Sequence, residues 1–188
     1  MSGFTSLSGQ LLVSLPSMRG DYFSHTVTLL IEHNEDGAFG LVVNRPLDAD
    51  LGDLLAAENE FDFADDLQGK VPLQETGPVE QNRLFFLHST ENHYDNSVAI
   101  NSHTSLSTSF DLLRAIAKQQ GPADVIAGLG YAGWAGGQLE NEIKADVWLV
   151  TPYIHEAVFN TPHEARPQIA ADTIGVDLNL IGPTPGHG

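Results

Sequence analysis

The most suggestive motif in the chain is a glycine-rich segment that follows an apolar run. Gly128-Leu129-Gly130-Tyr131-Ala132-Gly133 has the G-x-G-x-x-G spacing that lets a backbone approach a pyrophosphate at the start of a helix. A dinucleotide site also needs an acidic residue about 20 positions further on, but that neighbourhood here is Val150-Thr151-Pro152-Tyr153. The segment is therefore predicted to be a tight structural turn after a strand, and no cofactor is expected.

Histidine and serine residues are the next candidates for chemistry, because the chain has eight histidines and no cysteine. The lack of cysteine excludes disulfides, thiolate metal sites and cysteine nucleophiles. The histidines show no H-x-x-x-H or H-x-H spacing for a metal, and no serine lies in a G-x-S-x-G sequence. We therefore predict no metal site and no catalytic residue.

Polar and aromatic residues at the ends of predicted strands form the candidate ligand or partner surface. Its members are Asn44, Arg45, His88, Tyr131, Trp134, Gln138 and Glu140. Aromatic side chains beside glycines often anchor partners, although filling core space is the slightly commoner role for a residue such as Trp134. Arg45, a rare cation at a strand end, either binds an anion or, more commonly, pairs with a carboxylate.

The charge balance limits the classes of partner. The chain carries 25 acidic and 8 basic residues, a formal net charge of −17. The basic residues are dispersed, whereas a duplex-binding protein commonly makes about 6–10 phosphate contacts with Lys and Arg. We therefore expect no direct binding to nucleic acid or membrane, and a protein partner with a basic surface.

The length of 188 residues fits one ordinary domain, which we assign to residues 1–181, followed by a loose tail over residues 182–188. The first residues lack the basic and apolar regions of a signal peptide, and no run approaches the about 20 apolar residues of a membrane span. The expected location is the cytoplasm. The sequence predicts no particular oligomeric state.

The local patterns indicate interspersed strands and helices. Residues 25–43 predict a β-hairpin closed by Asn34-Glu35-Asp36-Gly37, and residues 105–120 predict the clearest helix. Asp48 or Asp50 is expected to cap a short helix. Because long βαβ crossovers are few, a mixed α+β fold is favoured.

Several segments, in order from about Gly9 to Gly175, resemble the bacterial AlgH/YqgE family. They are Gly9-Gln10-Leu11-Leu12, Leu15-Pro16, Phe23-Ser24-His25-Thr26-Val27, Glu32-His33, Gly37-Ala38-Phe39-Gly40-Leu41-Val42-Val43-Asn44-Arg45-Pro46, Gly77-Pro78-Val79, Leu87-His88, Gly130-Tyr131-Ala132-Gly133-Trp134, Gly137-Gln138-Leu139-Glu140-Asn141-Glu142 and Trp148-Leu149. The chain departs from the family pattern at Thr76, where a glycine is usual, and at Ala165-Arg166-Pro167, which lacks the usual tryptophan.

The resemblance implies an α+β fold in which a bent, bifurcated β-sheet forms a pseudo-barrel with flanking helices. The family is described as transcriptional regulators through a link to alginate production, and it brings no established catalytic residues. Together with the acidic charge, this favours a cytoplasmic, non-enzymatic interaction or regulatory protein whose effect on transcription is at most indirect.

Two other functions compete with this one. The alternative is an enzyme or small-ligand binder that uses the same strand-end residues, with Arg45 holding an anion and a histidine or Glu140 acting as acid or base. The third is direct DNA binding, which the net charge of −17 disfavours.

Overall fold

Strands and short helices alternate along the part of the chain that the structure, a computed structural model, describes: residues 3–16, 21–58 and 61–181. The strands are β1 (Leu11–Ser14), β2 (Val27–Asn34), β3 (Gly37–Val42), β4 (Pro46–Asp50), β5 (Pro72–Glu75), β6 (Val79–Ser89), β7 (Ser97–Ala99), β8 (Thr104–Ser107), β9 (Val125–Ala135) and β10 (Trp148–Thr151). The α-helices are α1 (Leu51–Glu58), α2 (Asp111–Ala117), α3 (Gln138–Lys144) and α4 (Arg166–Asp172). Short 3-10 helices cover Ala64–Leu67, His155–Ala157, His163–Ala165 and Leu178–Leu180.

These elements confirm the mixed α+β class. None of the described helices has both the length and the apolar composition that a bilayer-spanning segment needs. The tail predicted over residues 182–188 lies outside the described residues.

The chain divides into two compact units. The first contains the residues up to Asn44 and those from Tyr131 onward, and the second contains Arg45–Gly130. Strand β9 supplies residues 125–130 to the second unit and residues 131–135 to the first. The assignment of residues 1–181 to a single domain stays a prediction.

In the first unit, antiparallel pairing joins β10, β1, β2, β3 and the end of β9 in that order. The predicted hairpin is confirmed, because β2 and β3 pair from Thr28 with Val42 to Asn34 with Gly37. Its apolar side chains are held in a core whose buried members are Leu12, Leu30, Ala132, Trp134, Leu139 and Trp148. This core fixes the hairpin, β9 and α3 against one another.

In the second unit, β5 pairs with β4 and runs parallel to the first part of β9, while β8 pairs with β6 and β7. Helix α1 begins where Asp50 caps it. The Asp50 carboxylate accepts hydrogen bonds from the backbone N–H groups of Asp53, Gly69 and Val71 at 3.3, 3.1 and 2.9 Å. Asp50, rather than Asp48, is therefore the capping residue.

The glycine-rich segment is the middle of β9, so the predicted tight turn is wrong. Its glycines allow other backbone segments to come close. A Cβ on Gly128 would lie 2.2 Å from Cγ2 of Thr76, and one on Gly130, whose φ is +83°, would lie 2.2 Å from the carbonyl oxygen of Gly77. The G-x-G-x-x-G spacing thus serves packing inside a strand.

The helix predicted over residues 105–120 is wrong in its first part. Thr104–Ser107 forms strand β8, and α2 begins only at Asp111. The backbone of β8 is hydrogen-bonded to β6 on one side and to β7 on the other. Pairing with strands on both sides therefore overrides a helix-like apolar pattern.

Candidate functional site

The candidate site lies in the first unit, where the tip of the β2–β3 hairpin meets the end of β9. Gly37 pairs with Ala135, and Gly136 packs so closely that a Cβ there would lie 2.7 Å from the carbonyl oxygen of Glu35. A cavity of about 260 Å³ opens beside this junction. Its principal lining residues are Glu32, Asn34, Asp36, Phe39 and Trp134.

A hydrogen bond between His33 and Glu140 joins α3 to the hairpin. Nδ1 of the buried His33 ring accepts the backbone N–H of Leu7 at 2.9 Å, so the ring proton is on Nε2, which donates to the Glu140 carboxylate. The hydrogen bond from His33 holds the pKa of Glu140 below its ordinary value. Glu140 is therefore ionised at neutral pH and contributes a fixed negative charge.

Trp134 borders the cavity and belongs to the core of the unit. It is 7% exposed, and its Nε1 donates to Oε2 of Glu142 at 3.0 Å. Its ring lies against Phe23 and Trp148, with centroids 6.3 and 6.0 Å away. Trp134 thus fills core space, in keeping with the commoner interpretation of its sequence context, and is also among the residues that line the cavity.

Glu32 and Asp36 are carboxylates that line the cavity. Together with Glu35 of the same hairpin and with Glu140 and Glu142 of α3, the helix that is joined to the hairpin through His33, they form what we call the acidic rim.

Lysine and arginine are scarce near the acidic rim. Residues 1–44 and 131–188 contain Arg19, Lys144 and Arg166 and no further Lys or Arg. Arg19 lies outside the described residues, and Arg166 is buried at 3% exposure. Among the described residues of this unit, Lys144 is the one exposed Lys or Arg, so the rim lies in a strongly negative potential.

Four of the seven predicted site residues come together in this region. Trp134 lines the cavity and Glu140 belongs to the acidic rim. Gln138 begins α3, where its Oε1 accepts the backbone N–H of residue 135 at 3.1 Å. Tyr131 packs against the cavity residue Phe39, with ring centroids 4.9 Å apart.

The other three predicted residues have different surroundings. Asn44 bridges the start of β2, since its Oδ1 accepts the N–H of Val27 and its Nδ2 donates to the carbonyl of His25, both at 2.9 Å. Asn44 is 9% exposed, so its amide serves the fold and does not form part of an open surface. Arg45, in the second unit, is half-buried.

His88, also in the second unit, is fully buried, which corrects the prediction that it lies on a surface. Both ring nitrogens have partners: Nδ1 donates to the carbonyl of Ser89 and Nε2 accepts the hydroxyl of Ser107, each at 2.8 Å. Burial lowers the pKa of His88. The neutral imidazole is the form that this environment accommodates.

Sequence reasoning missed His33, Glu142 and Ser107. His33 and Glu140 are 107 positions apart, so no local pattern could pair them. Glu142 was within reach, because it ends the Gly137–Glu142 segment on which the family resemblance depends. Ser107 was hidden by the assignment of residues 105–120 to a helix.

The geometry of the acidic rim suits an organic cation. In the described part of the chain, no three His, Asp or Glu side chains converge as metal ligands do. The rim instead combines carboxylates with the aromatic wall of Phe39 and Trp134. Carboxylates bind the charged head of an arginine or lysine, while aromatic rings contact the stem and the guanidinium face.

Comparison with known proteins shows relatives along the whole chain. A family model described as AlgH-like matches residues 11–179. A UPF0301 protein of Thioalkalivibrio sulfidiphilus is 39% identical over 188 residues, which are 100% of both chains. A UPF0301 protein of Pseudomonas putida is 43% identical over 183 residues, covering 96% of this chain and 95% of that protein.

Two solved structures share the fold. The solution structure of the AlgH protein from Pseudomonas aeruginosa matches with a TM-score of 0.77 at 37% identity, covering 100% of this chain and 99% of that one. The crystal structure of a protein from Corynebacterium diphtheriae matches with a TM-score of 0.68 at 22% identity, covering 98% and 92%, and supports the fold alone. The fold expected from the resemblance is confirmed, and the chain belongs to the AlgH-like family.

Proposed function

We propose that this chain is a cytoplasmic interaction protein that binds a basic segment of a partner protein at the acidic rim, and that the rim itself catalyses no reaction. The observation that carries the proposal is the composition of the rim. Two of its carboxylates, Glu32 and Asp36, line a cavity of about 260 Å³ together with Phe39 and Trp134, in a unit with one exposed Lys or Arg among its described residues. Complementary charge speeds encounter with a basic partner and selects against acidic ones.

An arginine of the partner is the natural occupant of the cavity. Its guanidinium would contact Glu32 or Asp36, and its planar face would contact Phe39 or Trp134. Exposed ion pairs contribute only about 0.2–1 kcal/mol each, so useful affinity requires several cations along the bound segment. Such binding weakens as salt rises, because charges are screened over about 10 Å at 0.1 M ionic strength.

Any effect of this chain on transcription would depend on the protein that it binds. A protein with a net charge of −17 repels nucleic acid, so an effect on transcription would pass through a bound basic protein. Loss of rim charge would then abolish the regulatory effect together with partner binding.

A fluorescent deca-arginine peptide tests the proposal by anisotropy. Removing three rim charges in a Glu32→Gln/Glu35→Gln/Asp36→Asn variant deletes about 2 kcal/mol of pair interactions, so we expect a loss of roughly thirtyfold in affinity. The matched control removes three exposed charges elsewhere in the same unit, in a Glu156→Gln/Glu164→Gln/Asp172→Asn variant.

The control decides between a site and a general charge effect. The proposal predicts that the control variant stays within about threefold of the wild type, because its three substituted residues lie in or next to other elements than the hairpin and α3. Equal losses in the two variants would mean that net charge alone attracts the peptide, and the acidic rim would not be a binding site.

A further inference from the structure

Three neighbouring strands of the second unit carry one histidine and two serines in a single hydrogen-bonded chain. His88 lies on β6, Ser107 on β8 and Ser97 on β7. Nε2 of His88 is 2.8 Å from Oγ of Ser107, which is 2.5 Å from Oγ of Ser97. Ser97 and Ser107 are opposite each other in the antiparallel register, so the sheet itself fixes these distances.

The donor inventory fixes the direction of every hydrogen bond in the chain. Nδ1 of His88 must carry the ring proton, because its partner, the carbonyl of Ser89, can only accept. In the neutral ring Nε2 is then an acceptor, and Ser107 donates to it. Since the proton of Ser107 is used in that bond, Ser97 donates to Ser107, and the oxygen of Ser97 is the open end of the chain.

The open end is also the accessible end. His88 and Ser107 are fully buried, and the ring of Tyr94 packs edge-on against the imidazole with centroids 5.1 Å apart. Ser97 is partly exposed and lies on β7, the last strand in the order β6-β8-β7. Ser97 is therefore the member of this hydrogen-bonded series that lies nearest to solvent, while the base behind it is buried.

The imidazole is available as a base at neutral pH. Burial lowers the pKa of His88, and the carboxylates of Glu91 and Asp111 act in the opposite direction. These two acidic groups would stabilise an imidazolium formed during a reaction. A neutral buried histidine that accepts from a serine, with its other nitrogen oriented by a fixed acceptor, is the arrangement that activates serine nucleophiles.

We propose that Ser97 is a nucleophilic serine, activated by His88 through Ser107, that accepts acyl groups from carboxylic esters. This activity is independent of the acidic rim, which belongs to the first unit.

The reaction balances without a cofactor. The oxygen of Ser97 bonds to the ester carbonyl carbon while its proton passes to Ser107 and the proton of Ser107 passes to His88. The bond from the carbonyl carbon to the alkoxide breaks, and the alkoxide takes the proton back from His88 through Ser107. Water then attacks the acyl group on Ser97, releases the carboxylic acid and restores the serine.

A tagged fluorophosphonate tests the proposal, because an activated serine displaces its fluoride and forms a stable bond to phosphorus. We expect the purified full-length chain to be labelled, with the adduct mapped to Ser97 by peptide mass spectrometry and absent from Ser97→Ala. Since a general base contributes about 10²–10⁴-fold, Ser107→Ala should slow labelling by about 100-fold. Ser105→Ala, on the same strand but outside the hydrogen-bonded chain, should label at the wild-type rate.

The wild type alone supplies a second readout if a variant fails to fold. Its labelling rate should fall as the pH is lowered from about 8, with a midpoint below about pH 6.5, because burial lowers the pKa of His88 and protonation removes the base. An unlabelled Ser97 on the folded wild type would overturn the proposal, and the hydrogen bonds among His88, Ser107 and Ser97 would then serve the fold alone. Labelling that ignores both pH and the Ser107 substitution would overturn it as well.

Discussion

Replacing Arg166 should destabilise the first unit severely, because its guanidinium is buried and bonded entirely to backbone. Its nitrogens donate to the carbonyls of Val43, Val158, Phe159 and Thr161 at 2.5, 2.8, 2.8 and 3.1 Å. These carbonyls belong to Val43, the residue after β3, and to the segment before α4, so one side chain joins two parts of the unit.

The magnitude follows from the four acceptors. A buried carbonyl left without a donor costs about 1–3 kcal/mol, and water entering the vacated space meets part of that demand. Removing the charge also recovers some desolvation cost, the same effect that lowers the pKa of Arg166. We expect Arg166→Met to lose about 4 kcal/mol, a large share of the about 5–15 kcal/mol of a typical domain. Arg166→Lys, with three donors on a smaller head, should lose about half as much.

Urea unfolding followed by tryptophan fluorescence measures the loss directly. Both tryptophans of the chain, Trp134 and Trp148, lie in the same unit as Arg166, so the signal reports that unit. Lys144→Met removes an exposed cation and should stay within about 0.5 kcal/mol of the wild type. An Arg166→Met variant within about 1 kcal/mol of the wild type would refute the reasoning, because the four carbonyls would then not depend on the guanidinium.

Three further predictions concern the second unit. Gly128→Ala should cost about 1–3 kcal/mol, because its new methyl group would overlap Thr76, and Thr76→Gly should recover most of that loss in the double variant; additive losses in a double-mutant cycle would contradict the close packing. Asp50→Ala should lose about 1–2 kcal/mol with the α1 cap, against less than about 0.5 kcal/mol for Asp48→Ala, and equal urea midpoints would argue against the cap. Burial lowers the pKa of His88 in the folded chain, so protonation of this histidine favours the unfolded chain; the free energy of unfolding should be highest above about pH 6.5 and fall as the pH drops below that value. His88→Gln should reduce this fall. An unchanged dependence of stability on pH between about pH 7 and 5 would show that His88 does not cause it.

The parts of the fold that could be predicted from the sequence are those specified by neighbouring residues. The hairpin is one, since its turn residues Asn34-Glu35-Asp36-Gly37 stand between two apolar runs and pair as expected. The helix cap is another, because Asp50 directly precedes α1. In both cases the signal and the structure lie within a few positions of each other.

The parts that could not be predicted depend on contacts between distant segments. Leu106, Phe110 and Leu113 have an apolar spacing that suits a helix, but pairing with β6 makes the first part of this segment a strand. Gly128 and Gly130 look like turn residues, although the residues that require them, Thr76 and Gly77, lie about 50 positions earlier. Sequence alone gives no sign of such partners.

The same difference between local signals and distant contacts applies to the residues of the candidate site. Trp134 and Glu140, both in the predicted surface, lie in one region because α3 follows β9 after a short turn; their part in binding stays a prediction. His88 was misplaced on a surface, because a strand-end histidine looks accessible until Ser89 and Ser107 are seen to satisfy both of its nitrogens.

Binding of a basic segment at the acidic rim is tested most directly by the NMR signals of the two indole N–H groups. The chain has two tryptophans, and Trp134 lines the cavity and donates to Glu142. Titration with a deca-arginine peptide should shift the Trp134 indole signal, assigned with Trp134→Phe, to saturation, while the Trp148 signal moves less. A Trp134 signal that stays in place while the peptide binds would contradict the account, because binding would then occur away from the acidic rim.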